Sequence, residues 1–335
     1  MRRLFVLSIT SVLLYWMVFG LLVDRPLSLG ILRLEMIEKT ARLAALPSPK
    51  LVILAGSNGP FSHSCAVIGD MLGLPCENAG IAVGIGLDEI FARYRPYLHK
   101  GDIIYMPMEL QQYTATRAQY AAYVDGAFLF RHDRIILASL PPLRILGAAF
   151  CCTLPDFLES LAEMPIAAAR VVNPAATLRK EYNAQGDRID NILADADPAL
   201  LNHRPRRVPS AAAISRGYGA YLIGRFVARE AAKGVIIIGG LPTDYNIAPE
   251  PAASFAAAAA VYTENGARFM VLPNKSRYPV RDFFNSEDHL VRACQFLHSM
   301  AVARNLAAML GRVVHPPTAA QLKLAAACPS AGVVH

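Results

Sequence analysis

From Leu4 to Val23 the chain is apolar without a charged interruption, a run of about 20 residues and therefore long enough for one helix to cross a hydrocarbon core. Met1-Arg2-Arg3 precedes the run and Asp24 follows it, which sets the N-terminus in the cytoplasm and the rest of the chain on the far side. The exit, Leu21-Leu22-Val23-Asp24-Arg25-Pro26, lacks the small residues of a signal-peptide cleavage site, so the run reads as an uncleaved anchor. The period then changes. Pro26 to Pro49 carries Leu32, Leu34, Met36, Ile37 and Leu43 among charges, which predicts a helix leading away from the membrane.

Short continuous apolar runs ending in small turn-formers come next, alternating with helical periodicity. Leu51–Ala55, Cys76–Gly80, Asp102–Met108, Gly234–Gly240 and Arg268–Leu272 read as strands or strand ends, and the β-branched run before Gly240 reads as a buried central strand. Between and after them, Ser64–Leu72, Leu87–Leu98, Ala211–Lys233, Pro251–Asn265 and Leu290–Leu310 read as helices. The expected fold is α/β: a doubly wound, mainly parallel five-stranded sheet of flavodoxin-like type with a helical insertion, preceded by one transmembrane helix.

The expected organisation is an anchor over 1–25, a linker helix over 26–49, the α/β domain over 50–315 and a tail of unclear structure over 316–335. The insertion covers about 110–210, where the regular alternation fails; insertions of this length form lids, docking surfaces or loops beside a site. Within it, Ile135 to Leu154 is apolar enough to rest on a bilayer, although a helical pair packed on the domain is the reading preferred here.

Composition narrows the function classes. The formal charge of +7 is modest for 335 residues and includes no dense basic block. His203-Arg204-Pro205-Arg206-Arg207, the nearest thing to a patch, reads as a solvated loop, and no nucleic-acid partner is expected. Six cysteines (Cys65, Cys76, Cys151, Cys152, Cys294, Cys328) fall in no metal or scaffold spacing. Most read as small packing residues, with at most one or two disulfides and no pairing deducible. Gly80, Gly84 and Gly86 have the wrong spacing for a dinucleotide fingerprint, and no cofactor or metal is expected.

Candidate chemistry sits where the first strand stops, in Ala55-Gly56-Ser57-Asn58-Gly59. Ser57 would stand at the carboxyl end of a parallel strand, where ligands bind in open α/β sheets, and Gly56 and Gly59 let backbone N–H groups come close to a substrate. A serine nucleophile needs a base within hydrogen-bond reach, and that base needs a third group to hold its tautomer. His289, opening the last helix at the same sheet edge, is the candidate base. His63 reads instead as a polar loop residue at a helix start, and His99 as a histidine at a helix C-terminus.

Ala55-Gly56-Ser57-Asn58, Asn78-Ala79-Gly80 with Val83-Gly84-Ile85-Gly86-Leu87, Arg95 to Asp102, Pro107-Met108-Glu109 and Asp288-His289-Leu290, in that order, resemble the SGNH (GDSL-like) hydrolase superfamily. The likeness is greatest to its membrane-anchored bacterial members, often associated with exopolysaccharide acylation, and covers about Lys50–Tyr113 and Val235–Leu310. It implies Ser57 as nucleophile, His289 as base, and Gly80 joining the Ser57 N–H in an oxyanion hole.

The third-block asparagine is absent, leaving Asn58 or Glu109 for that polar role, and Gly56 replaces the usual block-one aspartate. The aspartate expected three or four residues before the histidine is also missing, since those positions hold Ser286 and Asn285. Asn285 can orient an imidazole without charge, and Asp282 and Asp288 are the substitute acids, Asp288 reading also as a helix cap. The implied function is a membrane-tethered serine esterase or O-acyltransferase acting on acyl groups, acetyl above all, of a cell-envelope or secreted polysaccharide. Its expected partners are the acylated glycan and a membrane-bound acyltransferase, and its place is the inner membrane with the main domain in the periplasm. The competing expectation is a catalytically degenerate glycan-binding or assembly component of a polysaccharide export system.

Overall fold

The computed structural model describes residues 1–21, 25–82, 84–122, 128–130, 132–150, 154–170, 172–197, 208–247 and 251–332. Asp24, Cys151, Cys152 and His203–Arg207, on which a loop was expected, lie outside them. In chain order the elements are α1 (Arg2–Leu21), α2 (Ser28–Ala45), β1 (Leu51–Ile53), α3 (Asn58–Ser62), α4 (Cys65–Leu72), β2 (Cys76–Asn78), α5 (Leu87–Tyr94), β3 (Ile103–Met106), α6 (Leu110–Thr114) and α7 (Arg117–Ala122). The insertion continues with α8 (Arg134–Leu137), α9 (Pro142–Ala149), α10 (Leu154–Ala168) and α11 (Pro174–Glu181). Then come α12 (Ala211–Arg216), α13 (Tyr218–Ala232), β4 (Ile236–Gly240), β5 (Asp244–Tyr245), α14 (Ala252–Thr263), β6 (Arg268–Met270), β7 (Arg277–Tyr278), β8 (Phe283–Ser286), β9 (His289–Leu290), α15 (Arg292–Leu310) and α16 (Ala319–Ala325).

The chain forms two units, one of residues 1–35 and 117–178 and one of residues 36–116 and 179–335. The second holds a five-stranded sheet in the order β2-β1-β3-β4-β6, parallel throughout. That order changes direction at β1 and β3, and in doubly wound sheets the crevice beyond the carboxyl ends of the strands at such a switch point is where ligands bind. Ser57 follows β1 and Glu109 follows β3, so both lie at that crevice.

The strands read as unbroken apolar runs because both faces are covered. Leu51, Ile53, Ile103, Tyr105 and Ile238 point into one core with α4, α15 and α16. Val52, Ile104 and Ile237, alternate in each strand, are buried on the opposite face. The helix expected over Ala211–Lys233 is divided at Gly217, where the backbone is extended and a Cβ would fall 1.9 Å from the Tyr113 carbonyl oxygen.

Two expectations about the C-terminal region are corrected. His289 does not open the last helix: it stands on β9, paired antiparallel with β8, and α15 begins only at Arg292. The tail is ordered as α16, started by a Thr318–Gln321 capping box and tied by a Cys294–Cys328 disulfide to α15. A second disulfide, Cys65–Cys76, joins the start of α4 to β2. Four of the six cysteines are therefore paired rather than serving as packing residues.

In the first unit, α1 is the one described helix long and apolar enough to cross a membrane. Residues 117–178 cluster with it. Tyr15 stacks on Phe150, Trp16 meets Phe130 and Phe150 edge-on, and the Tyr15 hydroxyl donates to the Ala149 carbonyl at 3.1 Å.

Candidate active site

The turn after β1 is shaped by one carboxylate. Glu109, fully buried at the start of α6, accepts the Gly56 N–H on one oxygen and the Asn58 N–H on the other, each at 2.9 Å. The Gln112 side chain in turn accepts the Glu109 N–H, closing a capping box at the N-terminus of α6. Two charge-assisted bonds from successive alternate amides leave the chain little freedom, and Ser57 between them is held with helical dihedrals at the head of α3. Among the described residues the Ser57 N–H meets no acceptor.

Ser57 Oγ lies 2.8 Å from Nε2 of His289, and His289 Nδ1 lies 2.6 Å from Oδ1 of Asn285. An amide oxygen only accepts, so Nδ1 carries the proton and Nε2 presents its lone pair to the serine hydroxyl. This is the tautomer a general base needs. Phe61, on α3, stacks on the imidazole with ring centroids 3.8 Å apart and planes 9° from parallel.

The hairpin carrying the histidine is fixed on both sides of it. Ser62 Oγ donates to the Asp288 carbonyl at 2.7 Å and accepts the Leu290 N–H at 3.2 Å. Asn191 Nδ2 donates to the Leu290 carbonyl at 2.8 Å and to the Phe61 carbonyl at 3.3 Å. Arg188 lies over Phe61, 4.9 Å from the ring centroid, while its guanidinium is engaged by Asp190 and Glu181. Burial works against that charge, yet the Asp190 hydrogen bonds hold the Arg188 pKa above its ordinary value. Asp187 accepts the Cys65 and Ala66 N–H groups at the head of α4, and the Asn78 side chain as well. The stretch 187–191 is thus a scaffold for the site, where the sequence showed only a polar end of the insertion.

Gly80 is pressed against the turn that carries Ser57: a Cβ there would come within 2.7 Å of Pro60 Cδ and 2.9 Å of the Gly56 carbonyl oxygen. Its N–H makes one long contact, 3.4 Å to Asn78 Oδ1, and its carbonyl accepts Lys39 Nζ at 2.6 Å.

The remaining candidates are distributed differently from expectation. Asn58 is fully buried, its amide donating to the Pro107 carbonyl at 2.9 Å and its oxygen accepting the Thr243 hydroxyl at 2.8 Å; the side chain braces the turn and is not aimed at Ser57 Oγ. Asp288 contributes its backbone carbonyl to Ser62 and Thr243 and caps no helix, and the group at His289 Nδ1 is Asn285. Asp282 is directed to Ser330, beside the Cys294–Cys328 bridge, and burial pushes its carboxyl up. Those two sulfurs are bonded to each other, so the cluster offers no thiolate for a metal. His99 is largely exposed, 3.8 Å from Asp102.

His63 lies in the loop just before α4, as expected, but is wholly buried. Its Nδ1 faces the Asn58 carbonyl at 3.2 Å, its Nε2 meets His298 Nε2 at 3.1 Å, and His298 Nδ1 meets the Tyr278 hydroxyl at 2.8 Å. Because the Asn58 carbonyl accepts, the whole chain has one direction: Tyr278 donates to His298, His298 to His63, and His63 to Asn58. Both imidazoles are neutral in that arrangement. Burial lowers the His63 pKa to about 4, and burial together with His63 lowers that of His298 well below the ordinary value.

Beside the hairpin a cleft of about 50 Å³ is lined by Leu110, Gln111, Pro242, Thr243, Glu287 and Asp288, among others. No protein-family model, curated protein or solved structure matches the chain.

Proposed function

We propose that the protein is a membrane-tethered serine esterase or O-acyltransferase of SGNH type, acting on small acyl groups, acetyl above all, carried by a cell-envelope or secreted polysaccharide. The observation that carries the reading is the unbroken chain from Ser57 Oγ through His289 to Asn285. Ser57 attacks the acyl carbonyl while His289 Nε2 takes its proton, and the Asn285 oxygen keeps Nδ1–H in place as the imidazolium forms. The Ser57 N–H receives the developing oxyanion, joined by the Gly80 N–H when it leaves its long contact with Asn78. Collapse expels the sugar alkoxide, which takes the proton from His289. Water or a second sugar hydroxyl, deprotonated by the same nitrogen, then removes the acyl group from Ser57.

The envelope setting is supported by α1 with its two leading arginines, and by two disulfides in the α/β unit, a feature of oxidising compartments such as the periplasm. A membrane-bound acyltransferase that supplies the acyl group would suit an anchored transferase.

One feature favours a second reading, a site that binds glycan without turnover: the partner of His289 is a neutral amide and brings no charge to an imidazolium. Fluorophosphonate labelling of the solubilised protein, read by intact mass, separates the two. The proposal expects one adduct on the wild type, none on Ser57→Ala and slow labelling of His289→Ala. A folded wild type that takes no adduct supports the binding role instead.

A further inference from the structure

Two helices of the insertion, α9 and α10, expose their large apolar side chains. On α9, Leu143 is 81% exposed, while Arg144 beside it is 7% exposed. Leu143, Leu146 and Phe150, at spacings of three and four, share one exposed face. On α10 the same holds for Leu154, Leu158 and Leu161, at spacings of four and three. Two acidic side chains of α10 pair with the chain just past α1, Glu163 mostly covered and Glu159 still half exposed. Glu163 accepts the Leu27 and Ser28 N–H groups at 2.9 and 3.0 Å and the Ser28 hydroxyl at 2.6 Å, and Glu159 pairs with Arg25 at 2.6 Å. A helix packed on a soluble domain does the reverse, burying its apolar stripe and presenting its charges.

The depth of this face follows from its contact with α1. Phe150 and Ala149 touch Tyr15, and Phe150 and Phe130 meet Trp16. Those positions lie in the last turns of a helix of 20 residues, whose length at about 1.5 Å per residue matches a hydrocarbon core of about 30 Å. Tyr15 is six residues before the end of α1, about 9 Å inside that boundary. Residues packed on it share its depth. Glu159 and Glu163 meet Arg25, Leu27 and Ser28, just past the end of α1, where headgroups begin.

Resting on the reading of α1 as a membrane-spanning anchor, we propose that the apolar faces of α9 and α10 are embedded in the far leaflet of the same bilayer, with lipid acyl chains as their occupant. The unit is then held by one spanning helix and one interfacial helical pair. Continuity with α1 selects lipid over a protein partner as the cover.

The test uses the full chain in nanodiscs of phosphatidylethanolamine and phosphatidylglycerol, one copy per disc, with doxyl-labelled lipids as membrane quenchers and acrylamide as the aqueous one. Trp16 is the only tryptophan, so the wild type reports on α1 alone. With Trp16→Phe as background, Leu158→Trp and Leu146→Trp report on the two helices, and Val271→Trp, at a 49% exposed site of the α/β unit, is the water-exposed control. The expected result is stronger quenching at positions 146 and 158 by lipid labelled near the headgroup than near the chain end, with acrylamide quenching several-fold weaker than at position 271. Acrylamide access equal to the control at both positions overturns the proposal. So does shielding from acrylamide without lipid quenching, which would mean cover by protein. If Trp16 itself escapes lipid quenching, the anchor reading fails and takes the proposal with it; quenching of Trp16 alone leaves the anchor standing and rejects only the interfacial pair. Either reporter suffices if the other variant does not fold.

Discussion

The side-chain oxygen of Asn285 lies 2.6 Å from Nδ1 of His289, in the place a carboxylate occupies in a Ser-His-Asp triad. In the proposed reaction it supplies the orienting half of the acid's work and omits the charge. The two halves can therefore be separated by substitution.

Asn285→Leu leaves Nδ1–H without its acceptor, and a hydrogen bond that strengthens as the ring becomes charged is worth about 1.5–3 kcal/mol. Ester hydrolysis is expected to fall by roughly 10-fold to 100-fold in kcat/KM, with folding unchanged. Asn285→Asp adds the charge. Its plateau rate should rise, and the acid limb of its rate–pH profile should move to higher pH, because a carboxylate favours the protonated imidazole. Steady-state assays on a soluble acetyl ester across pH 4 to 9 read both.

Glu109 matters through two amides rather than through substrate. In Glu109→Gln an N–H₂ group replaces one acceptor and faces an N–H, leaving a buried donor unpaired at a cost of about 1–3 kcal/mol. Thermal unfolding should begin earlier. The rate of fluorophosphonate labelling at Ser57 should fall as well, although Glu109 does not touch the reacting atoms. An unchanged labelling rate in the folded variant would show that the turn keeps its shape without the carboxylate.

The His63–His298 pair makes stability depend on pH. The folded protein holds His63 neutral down to about pH 4, whereas an unfolded histidine takes a proton near pH 6.5. The folded pKa is depressed, so this stability is present in full above about 6.5 and is lost as pH falls through the interval down to about 4. At about 1.4 kcal/mol per pKa unit the loss approaches about 3 kcal/mol for His63, and the depressed pKa of His298 adds to it. Urea midpoints measured from pH 7.5 to 4 should decline over that interval, and the decline should shrink in His63→Gln.

Reduction should destabilise the α/β unit. The two disulfides close loops with sequence separations of 11 and 34, and chain-entropy estimates give about 3 and about 4 kcal/mol for such loops. Differential scanning with and without reductant is expected to show a lower midpoint in reductant. In Cys328→Ser the C-terminal segment should become the first part of the chain cut by protease.

What the sequence made legible follows from local physics. Strands such as Leu51–Ile53 and Ile236–Gly240 show as continuous apolar runs because helices cover both faces of the sheet. Ser57 is marked by the small residues around it, and His289 by its place after the last strand of the sheet. The surroundings of His289 were not legible, since a two-residue strand such as β9 has no period to detect. Asp187, Arg188 and Asn191 reach the site across more than a hundred residues, and nothing near them in the chain announces it. The pairing of Cys294 with Cys328 is equally a matter of the folded tail. For α9 and α10 the periodicity revealed an apolar face, but periodicity is silent about what lies opposite that face, and in the structure Leu143, Leu146, Leu154 and Leu158 are exposed.

Ser57 and His289 come from opposite ends of the α/β unit, yet one short helix handles both. α3 begins at the serine, lays Phe61 flat on the imidazole, and uses Ser62 to grip the residues before and after the histidine. A small shift of α3 would therefore move Ser57 and His289 together. Two residues 232 apart in number are thus set together largely by five consecutive ones, Asn58 to Ser62, with Glu109 and Asn191 holding the turn and the hairpin from outside. Exchange of Phe61 or Ser62 would therefore be felt at both Ser57 and His289 at once.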